Sequence, residues 1–253
     1  MLYYELGEDY IFIDQDEHGR FSGRLAQHFK RDYFYDKNRA ANVLFAIENH
    51  DRAWIGMDET PLWNDEKCKP YSFIDLPKSI KLVFYKKGID EVEAKNQYAA
   101  ILCSQHYQDL VKNAKDQKTI EFIQEEKRRV CRLKEKLGIS GDKELKEDLD
   151  IVKLFDNLSL FVCLQEGKTE SEKNFKFFKD GIYPTFECMG NQKIKAQWLN
   201  NRKISLDPFP FTQEIQVPLK YKRVSKEDIK SYGVARAYKE VETSVKMISF
   251  IQY

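Results

Sequence analysis

From Ile151 to Leu164 the chain reads IVKLFDNLSLFVCL, apolar nearly all the way round a helix. A helix without a polar face has no surface to give to water, so it belongs in the centre of a bundle. That single requirement calls for further helices packed around it. Inside this helix sits a carboxylate, Asp156, on the stripe Val152, Asp156, Ser159 and Cys163. Its neighbours on that face are small, which leaves space beside it. The longest apolar run, around LFVCL, is too short to cross a membrane.

The rest of the chain supplies the partners. HGRFSGRLAQHF places Phe21, Leu25 and Phe29 on one helical stripe, and NRAANVLFAIENHD places Ala40, Leu44, Ile47 and Asp51 at i, i+4, i+7 and i+11. The stretch from Ser79 to Asn113 reads as two helices. QKTIEFIQEEKRRVCRLKEKLG reads as a charged helix with Ile120, Ile123, Val130 and Leu137 on one side and its EEKRR run solvated. Between them, IGMDETPLWNDEKCKPYSFIDLP has three prolines and no sustained period, which predicts a long loop. At the start, YYEL, GED and YIFID predict a hairpin with a glycine in its turn. After Gly167 the texture changes: KIKAQWLNNRKISLDPFPF, EIQVPLKYKRV and SVKMISFIQY alternate like strands. The last of these is apolar enough to need covering. The expected architecture is mainly α, a helical bundle with an N-terminal β-hairpin and a C-terminal β-rich unit, α+β overall. Residues 1–167 form the helical domain with its hairpin, and residues 168–253 a β-rich unit packed on it.

Charge excludes several classes of function. The 42 basic and 41 acidic residues balance, so the composition carries no electrostatic footprint for nucleic acid or for an anionic membrane. MLYYELGEDY lacks the basic-then-apolar order of a signal peptide. Five scattered cysteines without a CxxC pair read as reduced thiols in a cytoplasmic protein.

The inward positions carry the chemistry. His106 lies on the stripe Ala99, Cys103, His106, Leu110, and so faces the interior. A lone inward histidine is more often a hydrogen-bonded core residue than a ligand. Asp51 continues an apolar stripe at the C-terminal, negative end of its helix, where a carboxylate is badly placed; solvent, a basic side chain or a metal ion could hold it. A buried ionised carboxylate without a partner is costly, and buried aspartates are rare unless paired. The faces that hold Asp51, His106 and Asp156 offer imidazoles and small groups. Neutral imidazole with carboxylate is the ligand set of divalent transition metals such as Mn, Fe, Zn or Ni. His18, one turn before Ser22, can look across the same gap. His28 falls near a helix end and reads as a surface residue, while Trp54 and Trp63, flanking the long loop, read as packing residues or as a cover over a ligand.

The order His18, His50-Asp51, Asp156 resembles the H…HD…D order of the HD-domain metal-dependent phosphohydrolases, over roughly residues 1–167. DEHGRFSGRLAQHF, AANVLFAIENHD and LFDNLSLFVCL are similar to the three helices that carry those ligands. More narrowly, FIDQDEHGRFSGRLAQHF, IENHDRAWIGMDETP, YAAILCSQHYQDL and FDNLSLFVCL resemble an uncharacterised, mainly bacterial family known as DUF3891. The HD likeness implies an HD-like helical bundle in which His18, His50, Asp51 and Asp156 ligate one divalent metal with positions left open for substrate. His106 would face the substrate or ligate a second metal. The continuation HDRAWIGMD differs from the HDIGK-like run common in that superfamily, so no role carries over to the residues just after Asp51. Arg52 is a candidate for neutralising a phosphate, its plainer reading being a solvated arginine.

The resemblance implies hydrolysis of a phosphate ester. Two other readings stand beside it: an HD-type di-iron oxygenase on the same ligands, and a non-catalytic metal- or ligand-binding module. The expected partner is a small-molecule substrate, phosphorylated under the first reading, with no nucleic acid and no membrane; the C-terminal unit leaves room for a homo-oligomer.

Overall fold

The computed structural model describes residues 1–165 and 178–253. The expected boundary at residues 167 and 168 lies outside the described residues. The opening strands β1 (Leu2–Leu6) and β2 (Asp9–Ile13) form the expected hairpin, with Gly7 at a left-handed φ of 60° in its turn. Four helices follow the sequence patterns closely: α1 (Gln15–Ala26), α2 (Ala40–Asn49), α5 (Gln97–Val111) and α7 (Asp142–Cys163). Two others, α4 (Lys78–Glu93) and α6 (Gln117–Leu137), pack on α5 from outside. The expected long loop holds one turn of helix, α3 (Ile55–Asp58), and a two-residue strand pair, β3 (Trp63–Asn64) with β4 (Lys69–Pro70).

The central position of α7 follows from its composition. Val152, Leu154, Phe155, Leu158, Phe161 and Cys163 are all buried, and the helix packs on α1, α2 and α5. Asn96 and Asp116 cap α5 and α6 through their side chains, accepting from the amides of Ala99 and Thr119.

The approach of α1 to α2 depends on glycine. A Cβ added at Gly23 would stand 2.8 Å from Glu48 Cβ and 3.0 Å from Glu48 Cα. Gly88 of α4 meets the backbone of Ala53 as closely, with a hypothetical Cβ 2.6 Å from Ala53 N. These two contacts press the end of α2, where His50 and Asp51 lie, between α1 and α4.

The C-terminal strands extend the sheet of the N-terminal hairpin. Strands β5 (Lys195–Asn200), β6 (Lys203–Asp207), β7 (Ile215–Ser225) and β8 (Ser244–Gln252) join β1 and β2 in a six-stranded sheet of order β1-β2-β7-β8-β6-β5. The sheet curls into a half-barrel around the helices. β8 pairs antiparallel with β7, opposing Ile248 to Val217, and parallel with β6. It thus receives the cover its apolar sequence requires. Phe250 of β8 reaches Phe21 of α1, with ring centroids 6.4 Å apart, and Glu17 of α1 accepts the Lys220 amide of β7 at 3.0 Å. The sheet is the floor that seats α1.

Three expectations need correction. On α6 the inward face is Thr119, Phe122, Glu126, Val130 and Leu133, whereas Ile120 and Leu137 are exposed. Glu126 of the EEKRR run is therefore buried, which is tolerable because Ser104 Oγ donates to it at 2.8 Å and Arg129 Nε at 2.9 Å. On α5, Leu110 is exposed, although the rest of its stripe faces inward. The tail also contains two short helices, α8 (Lys226–Tyr232) and α9 (Val234–Glu240), absent from the strand reading. Ser225 caps α8, accepting from the amides of Glu227 and Asp228. Among the described residues, no helix is long and apolar enough to cross a membrane.

Candidate metal centre

Five ionisable side chains from four places in the chain meet inside the bundle. His18 comes from the first turns of α1, His50 and Asp51 from the end of α2, His106 from α5 and Asp156 from the middle of α7. They fall into two overlapping triads, His18–His50–Asp51 and His50–His106–Asp156, each with its ligand atoms within 4.8 Å of one another. All five are buried, at 0, 1, 5, 3 and 9% exposure in chain order, so Asp156 marks the most open side.

The spacing tests whether one ion fits. At metal–ligand bonds of about 2.1 Å, ligand atoms stand about 3.0 Å apart at a right angle and about 3.4 Å apart at the tetrahedral angle. His18 Nε2 lies 3.0 Å from Asp156 Oδ1 and 3.6 Å from Asp51 Oδ2. His50 Nε2 lies 3.4 Å from Asp156 Oδ1 and 3.7 Å from Asp51 Oδ2. Each of these four contacts is near the spacing of two ligands on one ion, while Asp51 and Asp156 fall in different triads joined by His50. His106 Nε2 stands 3.7 Å from the other oxygen of Asp156, Oδ2, on the far side of the same carboxylate.

Outer partners aim the ligand atoms. His50 Nδ1 lies 2.7 Å from the Ile47 carbonyl, which can only accept, so Nδ1 carries a proton. With that proton placed, His50 Nε2 of the neutral ring is a bare lone pair. It completes no hydrogen bond, although Asp156 Oδ1 is near. His18 Nδ1 lies 2.7 Å from Ser159 Oγ, and that hydroxyl also lies 3.1 Å from the His18 carbonyl. If Ser159 donates to the carbonyl, the ring gives its Nδ1 proton to Ser159 and again frees Nε2. Gln15 Nε2 donates to Asp51 Oδ2 at 2.9 Å. Such partners fix ring orientation and ligand basicity in metal sites.

The electrostatics agree. With neutral imidazoles the group carries the two negative charges of Asp51 and Asp156, the complement of a divalent ion. Among the described residues, the ion pairs of both carboxylates run to histidines alone. Burial by itself would lower His50, but Asp51 and Asp156 outweigh it and hold the ring up at about 9, so the two carboxylates draw a positive charge to the position of its Nε2, a proton or, in its place, a metal ion. Burial pushes His106 down to about 4 and keeps it neutral. For Asp156, burial is overcome by the neighbouring rings of His18 and His50, which hold its carboxyl well below the usual range.

The other sequence candidates lie elsewhere. Arg52 Nε sits 2.8 Å from Glu91 Oε2 on α4, turned to that pair rather than to the five. Trp54 is buried against Tyr85, and Trp63 packs on the cluster around Tyr10 and Phe12, as packing residues do. His28 is half-buried just past the end of α1. Sequence reasoning missed two supporting residues, Gln15 and the hydrogen-bonding role of Ser159. Each stands three residues from a ligand on the same helix, one turn along, which is the signal that could have found them.

The family described as "Protein of unknown function (DUF3891)" matches residues 1–226. No curated protein and no solved structure matches the chain.

Proposed function

The chain belongs to the DUF3891 family, and we propose that this member is a metal-dependent hydrolase of phosphate esters built on an HD-type ligand set. The observation that carries the reading is the burial of His18, His50, Asp51 and Asp156 together, each carboxylate within 3.7 Å of both imidazoles, with no lysine or arginine among the described residues to satisfy the carboxylates. Their order along the chain is that of the HD-domain phosphohydrolases.

A divalent ion bound there would polarise a phosphoryl oxygen and lower the pKa of an adjacent water. The protein's own residues supply orientation and exclusion. Ser159 and the Ile47 carbonyl hold the rings of His18 and His50 with Nε2 inward. Gln15 holds Asp51. Trp54, Tyr85 and Tyr107 form an apolar block beside Asp51 that keeps water from that flank. Substrate enters at Asp156, the most exposed member, and neutral His106 stands at its outer oxygen, where it can hydrogen-bond an incoming group.

A second reading is favoured by one observation. Asp156 turns Oδ1 to His18 and His50 and Oδ2 to His106, the posture of a carboxylate shared between two ions, and two triads share His50. That arrangement suits a di-iron oxygenase. The test is a panel of chromogenic phosphomonoesters and phosphodiesters presented to protein reconstituted with Mn, Zn, Fe or Ni, beside Asp156→Asn. Turnover that the substitution abolishes supports the hydrolase. Absence of turnover together with iron-dependent oxygen consumption supports the second reading, and metal binding with neither activity supports a binding module.

A further inference from the structure

One turn beyond His106 on α5 lies Asp109, and one turn before Asp156 on α7 lies Lys153; their side chains pair across the two helices. Lys153 shares the half-exposed stripe of α7 with Asp150, Asn157 and Leu160, and this stripe flanks Asp156, the open side of the centre. We propose that Lys153 is the anion-binding residue of the centre, leaving Asp109 to take a phosphoryl group of the substrate. This rests on the hydrolase reading above and gives that site its substrate class.

Charge favours such a residue. A divalent ion would offset the two carboxylates of the centre, but Asp109 adds a third beside them, and an anionic substrate meets its repulsion unless a cation receives it. Arg52 is held by Glu91. Behind burial, the charges that weigh most on His106 are Asp156, His50, Asp51 and Lys153, which places Lys153 close enough to act at that ring. His106 in turn acts on Asp109.

The existing pair is suited to exchange. The Lys153 side chain is 25% exposed and that of Asp109 37%, and ion pairs so open to water contribute little to stability. Asp109 also has a second partner waiting, since Lys112 Nζ lies 3.7 Å from its Oδ1. Releasing Lys153 therefore leaves Asp109 with a cation, and Asp150, whose Oδ1 stands 4.0 Å from Lys153 Nζ, keeps its access to water.

The competing role is a clamp between α5 and α7, and the two roles predict different signs. Inorganic phosphate is titrated calorimetrically into Mn-loaded wild type, Lys153→Met and Asp109→Asn, with Mn content and Tm recorded for each. The proposal expects phosphate affinity to fall about tenfold in Lys153→Met, the loss of one charged hydrogen bond. It expects affinity to rise in Asp109→Asn, where the competing carboxylate is gone, at equal Mn content. Unchanged phosphate affinity in both variants, with Mn retained and Tm lowered, makes the pair a clamp and overturns the proposal. Should Lys153→Met fail to fold, the direction of change in Asp109→Asn decides alone. A wild type that takes up no Mn overturns the reading of the centre itself, a different failure from Mn-loaded variants that bind phosphate alike.

Discussion

His18 Nε2 and Asp156 Oδ1 lie 3.0 Å apart inside the bundle, from positions 138 residues apart in the chain. The contact joins the helix seated on the sheet to the helix at the bundle's centre. The histidine is fully buried, and its other nitrogen is engaged by Ser159 on the same central helix.

Ser159→Ala removes the outer partner of His18 while sparing every ligand. Loss of such a partner characteristically weakens metal affinity about 10- to 100-fold. Competition against a chromophoric chelator measures this directly, and an unchanged affinity would show that the hydroxyl does not orient the ring.

Chelation should destabilise the protein. Without an ion, Asp51 and Asp156 face each other with only imidazoles between them, and an ion that binds only the folded state contributes about 4 kcal/mol at a thousandfold excess over its Kd. Thermal melts with EDTA, and again after adding back Mn or Zn, should show a lowered and then restored Tm. In Asp51→Ala the shift should shrink or vanish.

Gly23→Ala tests the helix contact that brings His18 to His50. Alanine is the better helix former by about 1 kcal/mol. The new methyl would, however, stand 2.8 Å from Glu48 Cβ, with the α2 backbone close behind. Overpacking of that kind costs about 1–3 kcal/mol, so the net outcome is a lower Tm and weaker metal binding. A stabilised variant would mean that α1 and α2 can separate freely.

Asp148 gives the stability a pH dependence. Burial raises its carboxyl from 3.8 to about 6, against the pull of the Tyr98 hydroxyl that donates to it at 2.5 Å, and its Oδ1 has no hydrogen-bond partner. Because the folded pKa lies above the unfolded one, its contribution is fully present below about 3.8 and is lost as pH rises through about 6. Asp148→Asn should therefore gain stability over wild type at pH 7.5, and that gain should shrink at pH 5. Denaturant melts at the two pH values check the sign; an equal effect at both would contradict it.

Much of this cluster was legible in sequence because its side chains sit on strongly periodic helices. Asp156 interrupts the most apolar stretch of the chain, and His106 and Asp51 extend apolar stripes, so period alone turned all three inward. The misses share a cause. Glu126 faces inward because Ser104 on another helix and Arg129 on its own receive its charge, a circumstance that helical period cannot show. Helices α8 and α9 are short, polar and held between two strands, so their hydrophobic pattern is faint. The pairing of β2 with β7, Phe12 opposite Lys222, joins segments far apart in sequence that local pattern does not connect. Arg52 follows the ligand pair in sequence, yet the chain turns it toward Glu91.

The most direct test of the account is elemental analysis of purified wild-type protein beside Asp51→Ala, each after incubation with Mn, Fe, Zn and Ni and removal of free ion. The account predicts a stoichiometric divalent metal in the wild type and its loss in the variant. Wild-type protein that retains no metal under any of these conditions, or a variant that retains as much as wild type, would contradict it.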